Sequence, residues 1–173
     1  MILIVGFTGS LLALVGLALL SLGATRPSNL GARNGSLSVC PDSPNCVTSS
    51  TSSQPHLMPP ITYEGDPQIA MQTIIDAVSV MDGARVVSSR DGYIYCEFTT
   101  SLFRFVDDVE FLLDADQSVI HFRSASRVGY YDFNLNRRRI NEIRRRFIEA
   151  SSVPESNTSQ SRVSFKPTFA VGP

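Results

Sequence analysis

The chain is poor in net charge and in histidine. Its 173 residues carry 15 basic and 16 acidic side chains, a formal charge of -1, so no global field draws it to nucleic acid or another polyanion. His56 and His121 are the only two histidines. Neither has a context that implies activation of a serine, so no Ser–His–Asp set is recognisable. Cysteine is scarce and odd in number. Of the three, Cys40 and Cys46 are neighbours and Cys96 is alone, which suggests one bridge and one spare thiol. No internal repeat is present.

Charge is missing altogether from Ile2 to Ala24, where Leu, Ile, Val, Ala and Gly dominate. About 20 apolar residues cross a bilayer core, so the run predicts a transmembrane anchor over residues 1–24. A cleaved signal segment is the competing reading. Small residues at Ser21–Ala24 favour it, and the lack of Lys or Arg before the run opposes it. No cysteine follows at once, which argues against a lipoprotein anchor. Arg26 and Arg33 after the span would hold that side in the cytoplasm on a strict positive-inside count. The close cysteine pair argues the other way, since disulfides persist in oxidising compartments. The expectation is a domain on the extracytoplasmic (periplasmic or lumenal) side, with the lipid bilayer and a membrane protein complex as partners and no nucleic acid.

Residues 25–39, rich in Gly, Asn and Ser, read as a linker. Residues 40–150 read as one α+β domain, and residues 151–173 as a disordered tail. Thr48–Pro60, with its Thr/Ser run and Pro55, Pro59 and Pro60, reads as an extended, irregular surface segment. Asp66 as N-cap, Pro67 at the first turn and Gly83 as the stop bracket a helix with Met71, Ile74, Ile75 and Val78 on one stripe. Four strands are expected over 84–89, 93–99, 104–114 and 119–124, with Asp91-Gly92 marking a hairpin. A last helix runs from near Asn134 or Asn136 to Ala150, its buried stripe starting at Leu135 or Arg139. Between Arg137 and Arg146 it holds six arginines against one acid, Glu142. The short connections require antiparallel pairing. The expected fold is a four-stranded antiparallel sheet with two helices on one face.

Several polar groups are candidates for chemistry. Cys40 and Cys46 fit a structural disulfide, stiffened by Pro41 and Pro44. A redox dithiol or a zinc site are the alternatives, though zinc would need two further ligands. Asp107, Asp108 and Glu110 offer paired carboxylates for acid–base work or a hard cation, or ion pairs for nearby arginines. Arg123, Ser124, Ser126, Arg127, Tyr130 and Asp132 lie between a strand and a helix start, where an anion is readily held, or form a turn stapled by side-chain hydrogen bonds. Asn136 and Arg137 open the arginine-rich helix, whose physical partner is anionic lipid headgroups or plain solvent. Cys96, on an apolar strand face, reads as an inert buried thiol. No metal or cofactor is expected.

Together these stretches resemble the family called domain of unknown function 1499 over roughly Cys40–Ile148. The carriers are Cys-Pro-Asp-Ser-Pro-Asn-Cys-Val at 40–47, His56 with Pro59, Phe-Val-Asp-Asp-Val-Glu-Phe at 105–111, Arg-Ser-Ala-Ser-Arg-Val-Gly at 123–129, and Asn-Arg-Arg-Arg at 136–139. Thr48 stands where that family commonly has Ser, and Asn134 where Gly is usual. Asn tolerates the left-handed conformation, so the turn survives. The resemblance implies small, often membrane-anchored or exported proteins of bacteria and plastids, and implies no enzyme activity. The leading expectation is a membrane-anchored accessory or binding domain. The alternative is a small-anion receptor or hydrolase-like enzyme built on the Arg/Ser/Asp cluster.

Overall fold

In this computed structural model, which describes residues 24–50 and 53–152, β-strands form one antiparallel sheet beneath two α-helices. In chain order the elements are β1 (Cys46–Thr48), β2 (Ile61–Thr62), α1 (Pro67–Ser79), β3 (Ala84–Arg90), β4 (Tyr93–Thr99), β5 (Val106–Asp114), β6 (Val119–Ser126) and α2 (Leu135–Ser151). The sheet has six strands in the order β1-β6-β5-β4-β3, and β2 also pairs with β6. The α+β class and antiparallel pairing match expectation; the count of four strands is corrected to six. The two additions escape sequence reading because they are three and two residues long and flank the stretch read as irregular. They lie end to end along the outer edge of β6, with Val47 opposite Ser124 and Ile61 opposite Ile120.

The anchor or signal expected over residues 1–24 and the tail expected over 151–173 fall almost wholly outside the described residues. Among those described, no helix is long and apolar enough to cross a membrane.

The helix ends follow local chemistry. The Asp66 carboxylate accepts from the backbone N–H groups of Gln68 and Ile69, satisfying donors that α1 leaves open. At α2 the residue before the helix, Asn134, sits in the left-handed region at φ 61° and caps nothing with its side chain. Asp132 does that work, accepting from the N–H groups of Asn134 and Asn136. Gly83, at φ 72°, could not be replaced by Ala, since a Cβ there would lie 2.2 Å from the Thr99 carbonyl oxygen.

Strand alternation divides the sheet into two unlike faces. Ile94, Cys96 and Phe98 of β4, Val109 and Phe111 of β5, and Ile120 and Phe122 of β6 face the helices. They meet Ile74 and Val78 of α1 and Ile140, Ile143 and Phe147 of α2 in one core. The other face carries Tyr93, Tyr95 and Glu97, Asp108 and Glu110, and Arg123. Residues 25–39, read as a linker, make contacts with this second face: Arg26 bonds Glu97, and the Gly31 N–H donates to Glu110.

Candidate functional site

The polar sheet face is built from register. β4, β5 and β6 place Glu97 opposite Asp108 and Glu110 opposite Arg123, with Arg127 following the end of β6. Arg127 Nη2 donates to Asp108 Oδ1 at 2.7 Å, to Glu97 Oε1 at 2.6 Å and to the Tyr95 hydroxyl at 3.0 Å. The Tyr95 hydroxyl donates to Asp108 at 2.6 Å. Arg123 Nη1 donates to Glu110 Oε2 at 3.1 Å, and Tyr93 Oη donates to Glu110 Oε1 at 2.8 Å. Arg123 Nε is buried without a partner. Arg26 and Arg85 reach Glu97 from the edge, and the Arg26 guanidinium also lies 5.2 Å from the Tyr95 ring centroid.

Burial alone would raise Glu97, but the guanidinium groups of Arg26, Arg127 and Arg85 outweigh it and hold the carboxyl well below the usual range. Burial, reinforced by Glu110, pushes Tyr93 well above the ordinary phenol value. Burial and the Asp108 carboxylate do the same for Tyr95. Both tyrosines therefore remain donors.

A second polar cluster lies under α2, on the helix-covered face. Arg139 Nη2 donates to Asp107 Oδ2 at 2.5 Å, and Arg139 Nη1 donates to Asn136 Oδ1 at 2.6 Å. The Ser124 hydroxyl donates to the same Asn136 oxygen at 2.6 Å. Asn136 Nδ2 donates to the Asn45 carbonyl, the Ser126 hydroxyl and Asp132 Oδ2 at 2.9–3.0 Å. Asn136, fully buried, thus joins α2 to β6 and to the cysteine loop. Arg139 lies over Phe98, its guanidinium carbon 4.6 Å from the ring centroid.

Cys40 and Cys46 are joined as a disulfide. Within the ring they close, Asn45 donates to the Gly129 carbonyl at 2.6 Å, tying this loop to the one after β6. His56 Nδ1 lies 2.9 Å from the Cys46 carbonyl oxygen. Arg137 donates to the Pro55 carbonyl at 3.0 Å, and Arg144 holds those of Pro59 and Pro60, so α2 straps down the proline-rich segment. Among the described residues no group of His, Cys, Asp and Glu is arranged to hold a metal. Cys96 is free and buried, and burial pushes its thiol up to about 12.

Between the loop 100–105 and the loop 127–134 lies a cavity of about 410 Å³. Its walls are apolar: Phe103, Phe105, Val128, Tyr131, Phe133 and Leu135. Asp107, Ser126 and Asp132 supply its polar floor. Its mouth is aromatic and exposed, with Phe133 at 82% and Tyr131 at 67%. The loops are conformationally committed, since Arg104, Phe133 and Asn134 all hold positive φ without being glycine. A wider depression of about 630 Å³, lined by Thr62, Tyr63, Phe147 and Ile148 among others, touches none of the motif residues.

The candidate residues therefore divide. Asp108, Glu110, Arg123 and Arg127 lie on the polar face, and Asp107, Ser124, Ser126, Asp132 and Asn136 lie on the helix side. Tyr130 is exposed and stacks edge-on against Tyr131 at 5.4 Å, while Arg137 serves the Pro55 carbonyl. Sequence reasoning missed Glu97, Asn45 and the wall formed by Phe103 and Phe133. The signal for Glu97 is its period-two spacing from Tyr93 and Tyr95 on β4; the aromatic wall comes from two loops and has no periodic trace.

No curated protein and no solved structure matches the chain. A family model described as protein of unknown function (DUF1499) matches residues 36–147, and the chain belongs to that family.

Proposed function

We propose that this member of the family is a non-catalytic binding domain, tethered to a membrane by residues 2–24 on the extracytoplasmic side, with the aromatic cleft as its recognition site. The observation that carries the reading is the contrast in how polar and apolar groups are used. The arginines, serines and carboxylates that could have served an anion receptor or a hydrolase are directed at one another. Arg127 spends its donors on Asp108, Glu97 and Tyr95, and Arg139 on Asp107 and Asn136. Asp107 and Asp108 point to opposite sides of the sheet, so they do not act as a pair. The cleft, by contrast, has apolar walls and a few convergent polar groups, the general form of a small-molecule site.

The test is native mass spectrometry of the full chain purified in mild detergent from its own membrane, beside the cleft-filling variant Val128→Phe. An apolar molecule bound one per chain, and missing from Val128→Phe, is the expected result. A folded chain that carries no ligand, or a variant that carries the same one, would overturn the reading.

A further inference from the structure

We propose that the end of the domain bearing the aromatic cleft rests in the headgroup region of the bilayer, an inference that rests on the tethering reading above. The first observation is where the chain leaves the domain. Ala24 ends the apolar run, and Arg26, two residues later, is held at 2.7 Å by Glu97. Glu97 faces Asp108, one pair inside the Phe98–Asp107 pair, close to the end of the sheet from which loops 100–105 and 127–134 project. Two residues span at most about 7 Å beyond Arg26, whose side chain reaches Glu97, so the apolar run departs from the polar face toward this end of the sheet.

The second observation is a cluster: half of the eight exposed large hydrophobic side chains among the described residues gather here, while Val39, Ile69, Val80 and Ile148 lie on other elements. Leu102, Tyr130, Tyr131 and Phe133 are 66–82% exposed, and all four lie on these two loops. The opposite end of β5 and β6 closes with Asp114, Asp116, Gln117 and Ser118. Tyrosine in particular suits a boundary where one side is apolar and the other wet. A cluster of this kind marks an interaction surface.

The third is charge at the rim. Arg104 and Arg138 are exposed beside the aromatic side chains, and Arg138 Nη1 holds the Phe133 carbonyl at 2.7 Å. The nearby Asp132 carboxylate is turned inward, taken up by the Asn134 and Asn136 N–H groups and the Asn136 amide. The cations therefore face outward, where anionic headgroups attract them. A lipid surface is favoured over a protein partner because the tether brings a bilayer to this end regardless of what else is present. The cleft mouth then opens toward lipid, and an apolar chain would enter it without crossing water.

The chain contains no tryptophan, so a single introduced indole reports its own surroundings. Phe133→Trp probes the cleft mouth. Ala115→Trp probes the exposed β5–β6 turn about 26 Å away along β5. Each full-length variant is reconstituted into vesicles of phosphatidylcholine and phosphatidylglycerol with doxyl-labelled lipid. The expected result is blue-shifted, strongly quenched emission from Phe133→Trp and water-like, unquenched emission from Ala115→Trp. Equal behaviour of the two, or an unquenched Phe133→Trp in a chain that floats with the vesicles, would overturn this docking and leave the tether intact. A chain that does not float with vesicles at all removes the tether, and this docking with it.

Discussion

The two faces of the sheet are made from the same strands and are held in opposite ways. Toward the helices, β4, β5 and β6 present Ile94, Cys96, Val109, Phe111, Ile120 and Phe122, whose contribution is non-directional and follows apolar area removed from water. Toward the N-terminal segment they present Glu97, Asp108, Glu110 and Arg123, whose contribution depends on each charge finding its partner. The lesson is one of tolerance. An apolar position can lose a methyl group at graded cost, whereas a buried ion pair fails abruptly when one half is removed.

Arg139 is the sharpest place to break that contrast, because its charged pair lies on the apolar side. Arg139→Met should cost about 3–5 kcal/mol by leaving Asp107 buried and unpaired. The double variant Asp107→Leu, Arg139→Met should recover most of that loss. Urea unfolding of both checks it, and a double variant worse than the single one would contradict it. Ile140→Ala, fully buried one residue along, should cost about 2–5 kcal/mol with no dependence on salt. Reducing Cys40–Cys46 should cost about 2 kcal/mol, at the low end because the closed ring is small; thermal melts with and without reductant measure it.

Acid sharpens the comparison further. Glu97 is held below its ordinary value in the folded chain, so its stabilising effect is complete above the unfolded glutamate value of about 4.3. That stability is lost as pH falls below this value toward the folded one. Glu97→Gln should flatten the acid limb of a stability–pH curve and leave neutral pH as the place of greatest loss. The smallest effect belongs to Arg26→Ala. Its side chain is half exposed, so about 0.2–1 kcal/mol is expected, diminishing as salt is added.

Much of this architecture was legible in the residues. Asp66 and Pro67 announced α1, and Asp91-Gly92 announced the hairpin, with φ of 50° and 72° at its two central positions. Period-two alternation along a strand puts neighbours such as Asp107 and Asp108 on opposite faces, as the register shows. What stayed hidden was short or non-local. β1 and β2 are defined by what β6 offers them rather than by their own pattern. Arg26 meets Glu97 across 71 positions, and no local rule couples them. The aromatic cleft unites Phe103 with Phe133, which periodicity places nowhere. Asn134 was readable in conformation, as a left-handed residue, while the capping by Asp132 was not.

Asn45 carries a consequence for the cleft. It lies inside the Cys40–Cys46 ring, and its side chain clasps Gly129 at the root of the aromatic loop. The same residue is pinned from the other side, its carbonyl accepting from the Ser126 N–H and the Asn136 amide, so the ring, the strand end and the aromatic loop meet at one residue. Losing the Asn45 amide, as in Asn45→Ala, would unclasp Gly129 and leave the base of the cleft without its tie to the ring.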